Sequence, residues 1–281
     1  MNTRKKRIVG IFITAFRYVI LSVLAFTTLF PLIWMFYSSF KSNPEIIQSS
    51  LRLPKKLHFE NYINAWNTAN IGRYFFNSVF VTLMSIIFVV IVGSMAAYVL
   101  AKFKFRGKHF IMMLFTIGML IPLQAVLVPL FSQMKNLHLL NTLKSLIIVY
   151  TAFALPLAIF LLESFMEAFP DSIIEAALID GASIPRIFFT IVMPMAHPTI
   201  ATVVILTFLN NWKEFSFALV FINSEVKKTL PLGLYNFLGA YTADYAGLMA
   251  ALVIATVPTF GLYILLQNQV INGMTAGAVK G

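Results

Sequence analysis

Few residues in this chain have the type and spacing that chemistry requires. Four histidines, His58, His109, His138 and His197, lie far apart, without the short spacings that turn two imidazoles onto one metal ion. Cysteine is absent, which removes thiolate nucleophiles, Cys-ligated metals and disulfides. Glu163 and Glu167 stand four apart, as paired carboxylates on one helix face would, but no nucleophile with a matching base accompanies them. We read them as a solvated helix end. His197 falls inside an apolar block with no second ionisable group, and is expected to be neutral and hydrogen-bonded rather than a proton relay. The phosphate-cradling pattern G-x-x-x-x-G-K-[ST] does not occur, since Gly107-Lys108 lacks its spacing. The chain is therefore expected to be non-enzymatic, with no metal and no cofactor of its own.

A different kind of pattern stands at 170–186, from Pro170 and Asp171 to Pro185 and Arg186. Ser172 and Glu175 have the S-x-x-E spacing of a capping box, which predicts the start of a short helix. Gly181 follows where a left-handed residue ends a helix, and Ser183 with Pro185 supplies a cap and an early-helix proline for the next. Helix, sharp turn and helix result. Ala176 and Ala177 offer a face almost without side chains, Gly181 lies four beyond Ala177, and Ile174 and Leu178 add apolar contacts. Such a knob suits a groove in another protein.

The elements that position this knob follow from composition. Of 281 residues, 59% are hydrophobic and 11% charged, against about 25% charged in soluble chains. The apolar residues gather into blocks long enough to cross about 30 Å of hydrocarbon. Six spans are predicted, about 18–40, 74–101, 110–134, 145–162, 187–212 and 247–267, in one transmembrane domain over 1–281 with a tail at 269–281. The first is too long for a signal-peptide core and ends in Trp34, Phe36 and Tyr37, an interfacial belt, so it is expected to be retained. The expected fold class is an all-α polytopic membrane protein with six transmembrane helices and a short helix in the 170–186 loop.

The net charge of +11 comes from basic residues between the blocks, so lipid headgroups rather than nucleic acid are the expected partner. Arg4, Lys5, Lys6, Arg7 and Arg17 precede the first span, and Lys102, Lys104, Arg106 and Lys108 follow the second. These put both termini in the cytoplasm. The segment 41–73, itself basic, and 213–244 then lie outside. The first is expected to hold a short interfacial helix, and Pro231 breaks the second into short helical pieces. Within the spans, 28 phenylalanines and 13 methionines supply packing and lipid contact. Asn77, Gln124, Asn210 and Asn211 are uncharged polar groups at span positions, suited to hydroxyl-rich solutes or to bonds between helices.

Glu175-Ala176-Ala177, then Asp180-Gly181-Ala182, then Phe188, Ile191 and Pro194 at fixed distances, resemble the signature loop of permease subunits of binding-protein-dependent ABC importers. Asn211-Trp212-Lys213-Glu214-Phe215, Pro122 with Pro129, and the terminal Gly273-to-Gly281 stretch are similar to the maltose-type carbohydrate subfamily, though Lys213 replaces an expected small polar residue. The resemblance implies that Glu175, Ala176, Ala177, Asp180, Gly181 and Ala182 dock into a cytoplasmic ATP-binding subunit, with Glu175 facing a basic residue there. It implies that Thr275, Gly277 and Lys280 of the tail reach the same subunits, which would hold ATP and Mg. It implies a heterodimer with a homologous second permease, two ATP-binding subunits and an extracytoplasmic solute-binding protein in a bacterial or archaeal cytoplasmic membrane. Each permease forms half the path of a sugar or oligosaccharide by alternating access. An ion-coupled secondary carrier is the alternative, and it would need charged or unwound sites at mid-membrane.

Overall fold

In hydrocarbon a backbone amide has no water to bond, so apolar blocks fold into helices that satisfy their own N–H and C=O groups. The computed structural model describes residues 2–239 and 243–278, with side chains at position 10 and over 13–239 and 243–266. Among them, four helices are long and apolar enough to cross a membrane, and two bent helix pairs bring the spans to six. Two compact units are formed.

One unit joins Met1–Ala69 to Asn236–Ile254. Helix α1 (Asn2–Ser38) is apolar from Ile13 and exposed along that stretch, as a lipid-facing helix is. Beyond it lie the short helices α2 (Asn43–Gln48) and α3 (Glu60–Ile63). Lys41 holds this segment together. Its ammonium is buried, donates to Ser50 O at 2.7 Å and Ser49 O at 3.3 Å, and lies 4.9 Å from the Tyr37 ring centre. Burial lowers its pKa from the usual lysine value. Glu45 accepts N–H bonds from Ser42 (3.1 Å) and Lys55 (3.2 Å), and the Ser42 bond above all holds its carboxyl below the usual range.

The other unit takes Asn70–Tyr235 and the residues from Ala255 onward. Helices α4 (Ile71–Lys102) and α7 (Leu143–Ala168) run parallel through it. Gly93 lets them approach: a Cβ there would stand 3.5 Å from that of Ala158. Between them in sequence, α5 (Lys108–Gly118) and α6 (Leu127–Asn136) are joined by a 3₁₀ turn, Leu123–Val126. The continuous span expected over 110–134 is bent by 97°. Pro122 explains the break, because it lacks an N–H and disfavours helical geometry in Ile121 before it.

After α7 come α8 (Asp171–Ile179), α9 (Ile184–Ile187), a π-helical turn at Phe188–Val192, α10 (Met193–Met195) and α11 (His197–Trp212). The span expected over 187–212 is bent by 75° at Ala196, between Pro194 and Pro198. The bend leaves His197 exposed, without a hydrogen-bond partner among the described residues, which corrects its reading as a bonded intramembrane imidazole. Glu163 and Glu167 also differ from expectation. Helix α7 runs six residues past Leu162, so Glu163 shares its buried face with Leu162 and Met166 while Glu167 is exposed.

Short pieces follow: α12 (Ser216–Phe221), a 3₁₀ turn at Glu225–Lys227 and α13 (Leu230–Leu234), which Pro231 helps start. Helix α14 (Tyr245–Ala278) continues well past position 267. Glycine costs about 1 kcal/mol in a helix interior, so Gly273 and Gly277 do not interrupt the backbone. Two apolar clusters fill this unit, one around Leu146, Phe217 and Phe221, the other around Leu162, Ile187 and Val192.

The segment 225–233 is fastened to the start of α4. Tyr74 Oη donates to Glu225 Oε2 at 2.9 Å, and Leu230 N–H donates to Ser78 Oγ at 2.8 Å. A Cβ on Gly233 would overlap the Tyr74 ring. Gly233→Ala is therefore expected to destabilise the purified protein by about 1–3 kcal/mol through overpacking. A lowered unfolding midpoint in detergent is the measurement, and an unchanged midpoint would refute the contact.

Candidate functional site

Two features of the second unit could act on other molecules, one at each end of the α4–α7 pair. The first is the turn between α8 and α9. Gly181 has φ +81°, its N–H donates to Leu178 O at 3.0 Å, and Ala182 N–H donates to Ala177 O at 2.9 Å. Together these form a Schellman stop, in which a left-handed residue closes the last turn. The capping box expected at Ser172 and Glu175 is not made. Pro170 occupies the cap position and Ser172 already lies inside the helix, so its hydroxyl is not at the helix start.

Lys102 instead ties down the start of α8. Its ammonium, at the end of α4, donates to Phe169 O and to Asp171 Oδ1, both at 2.6 Å. The Lys102 hydrogen bond, then its charge, holds the Asp171 carboxyl below the usual aspartate range. Ile174, Ala177 and Ala182 turn inward onto the cluster around Leu162. Glu175, Ala176, Asp180 and Gly181 face outward. The apolar tip was not anticipated: Ile179 is 86% exposed and Leu178 49%. Of the tail residues, Thr275 and Gly277 are described in their backbone alone, and Lys280 lies outside the described residues.

The second feature is a cavity of about 470 Å³ at the other end, lined by residues of 121–124, α7 and 210–217. Gln124, Asn210 and Asn211 meet there. Asn77 does not, because its amide donates to Val226 O (3.0 Å) and Lys228 O (2.9 Å) and fastens the 225–228 turn to α4. Of its two expected roles, solute contact and structural bonding, these bonds support the second. Glu214 and Tyr150 join the wall unforeseen. Tyr150 Oη donates to Glu214 Oε2 at 2.6 Å, and Glu214 Oε1 accepts from Phe217 N–H at 2.7 Å.

This cavity continues in two directions. Toward α6 a second space of about 470 Å³ is lined by Ser132, Gln133 and Asn136. Toward the α8–α9 end lies a much smaller space of about 40 Å³, lined by Leu157, Leu161, Val203 and Leu206 together with Thr207 and Asn210. Phe153 borders all three spaces, and its ring packs 5.5 Å from that of Phe217. The wide vestibule is thus followed by a narrow space toward the α8–α9 end. Among the described residues no three His, Cys, Asp or Glu side chains gather as metal ligands would.

Residues 90–275 match the family described as the inner membrane component of binding-protein-dependent transport systems. The chain belongs to that family. The matched residues include both the α8–α9 turn and the vestibule, so this permease carries its two exposed features within the family's shared segment. Among its relatives is the diacetylchitobiose uptake system permease protein NgcG of Streptomyces coelicolor, 41% identical over 252 residues, 89% of this chain and 83% of that one. The trehalose/maltose transport system permease protein MalG of Thermococcus litoralis is 33% identical over 263 residues, 92% of this chain and 94% of that one. A crystal structure of a bacterial ABC transporter that imports the acidic polysaccharide alginate superposes with a TM-score of 0.82. Its matching chain is 24% identical, and the overlap covers 95% of this permease and 98% of that chain. The permease is thus an all-helical transport subunit of the inner membrane, and an ion-coupled carrier is set aside.

Two measurements check this geometry. Because Asp171 has a depressed pKa, its contribution is complete above the ordinary aspartate value of about 3.9 and is lost as pH falls through the lower folded value. Backbone hydrogen-exchange protection over 171–181, corrected for the intrinsic rate, should drop in acid for the parent chain. Asp171→Asn should show low protection at every pH, and a parent-like profile would exclude the Lys102 bond as the tether. The lack of native cysteine makes single-cysteine labelling clean. Asn210→Cys should react with a charged thiol reagent at least about tenfold faster than Leu157→Cys, since the thiolate must meet reagent in water; equal rates would refute the narrowing.

Proposed function

We infer that this permease forms half of the translocation path of an ATP-driven carbohydrate importer, paired with a homologous second permease. An external binding protein delivers the solute to the vestibule, and two cytoplasmic ATP-binding subunits, which carry ATP and Mg, drive alternating access. The observation that carries this reading is the α8–α9 knob. Its last turn is closed by Gly181, its root is tied by Lys102, and its outer face offers Glu175, Ala176 and a bare Ile179. An isoleucine so exposed beside a carboxylate is surface that a partner covers.

Orientation follows from the basic residues. Arg4, Lys5, Lys6 and Arg7 before the first span, and Lys102 to Lys108 after the second, favour the cytoplasm. The knob then faces the ATP-binding subunits, and the vestibule opens toward the outside. The small space near Leu157 fits a path closed on the inner side. Support for a carbohydrate comes from relatives whose names include diacetylchitobiose, starch degradation products and trehalose/maltose. The wall chemistry agrees, since Gln124, Asn210 and Asn211 amides beside the Phe153 and Phe215 rings suit hydroxyls and sugar faces. Thr275, Gly277 and Lys280 are assigned to a tail that reaches the same ATP-binding subunits.

Glu175→Lys tests the docking reading. The variant should insert into the membrane at normal abundance, because Glu175 is exposed and outside the spans. Copurification of the ATP-binding subunit and solute uptake should both fall by at least about tenfold, a loss typical of a central interface residue. Normal assembly together with normal uptake would refute docking at this turn.

A further inference from the structure

The vestibule wall carries two adjacent ionisable groups of opposite sign, and only the carboxylate is hydrogen-bonded within the fold. Both oxygens of Glu214 are engaged: Oε1 by Phe217 N–H at 2.7 Å, Oε2 by Tyr150 Oη at 2.6 Å and Ala218 N–H at 3.3 Å. The carboxylate is thus consumed in closing the first turn of α12 and fastening it to α7. Lys213 beside it lines the same cavity, is exposed, and forms no hydrogen bond or ion pair among the described residues. Asn211 lines the cavity as well, but its Nδ2 is fully buried and is not presented to it.

The wall therefore presents an ammonium with no hydrogen bond or ion pair among the described residues, flanked by the Gln124 and Asn210 amides and the Phe153 and Phe215 rings. We propose that Lys213 makes the vestibule a subsite for an acidic carbohydrate, its ammonium binding a carboxylate while an aromatic ring stacks on the sugar face. This rests on the reading of the vestibule as a solute path. A competing role for Lys213 is purely structural. It stands at the C-terminal end of α11, where a cation is favoured by the helix dipole. The two roles differ in consequence: a dipole-stabilising lysine affects every solute alike, whereas a subsite lysine discriminates by charge.

The experiment uses the assembled transporter in nanodiscs without its binding protein, so that selectivity is the permeases' own. Equilibrium binding of labelled trigalacturonate is compared with that of its carboxyl-reduced, neutral counterpart. The parent transporter should prefer the acidic trisaccharide by at least about tenfold, which corresponds to about 1.4 kcal/mol. Lys213→Gln should bring the ratio near one, and Lys213→Arg should keep it. The preference of the unsubstituted transporter should also shrink as salt is raised, a readout that requires no variant. Equal binding of both sugars by the parent, a ratio that survives Lys213→Gln, a parallel loss for both sugars, or a preference indifferent to salt would each overturn the proposal while leaving a carbohydrate path intact. Binding of neither trisaccharide by any form would overturn the carbohydrate reading along with it.

Discussion

The parallel packing of α4 against α7 is the constraint on which the rest of the second unit depends. It is possible because Gly93 faces Ala158, with Ala97 buried nearby, so that two backbones approach without bulky side chains between them. Small residues do this in membranes, where no hydrophobic drive separates helix from lipid and close contact must come from shape. The pair then presents two ends to the surrounding elements. At one end Lys102 joins α4 to the residue after α7 and to the first residue of α8. At the other, Tyr150 on α7 reaches Glu214 beyond α11, and Asn77 and Ser78 on α4 hold the 226–230 segment. Knob and vestibule are therefore anchored to the same two helices.

Between these ends the third element, α11, is not continuous with the knob. A π-helical turn at Phe188–Val192 and the bend at Ala196 lie in between. Phe188 is nonetheless buried, its ring 5.2 Å from that of Tyr98 on α4. The knob is thus tied to α4 through Lys102, and its inner residues pack into the cluster that also takes in Val203 and Ile200 of α11. Asn210 and Asn211 sit at the far end of α11.

What the sequence revealed and what it hid divide along physical lines. The apolar blocks were legible because spanning length and missing charge are local properties. The left-handed stop at Gly181 was legible because few residues tolerate that geometry. The two bends were not located, although Pro122, Pro194 and Pro198 were visible, since a proline is tolerated in a membrane helix when neighbours satisfy the freed groups. The capping box was placed at Ser172 and is absent there, whereas Ser42 and Glu45, with the same spacing and a proline between them, make the reciprocal contact. Local pattern alone does not choose between such sites. At the start of α8 the cap position falls to Pro170, and the distant Lys102 bonds Asp171 across 69 positions.

The path residues show the same limit more sharply. An amide within a span reads identically whether it faces solute or fastens a loop, and only the partners separate Asn77, which donates to two backbone carbonyls, from Asn211, whose Nδ2 meets no acceptor. Glu214 and Lys213 reverse expectation in the same way. As neighbours of opposite charge they suggest an ion pair, yet the carboxylate oxygens are occupied by two backbone N–H groups and a phenol, so the lysine ammonium is left for another partner. Whether a polar residue serves the fold or a ligand is thus decided by what already saturates its neighbours. In this vestibule the bonded carboxylate closes the wall, and the lysine beside it lines the path.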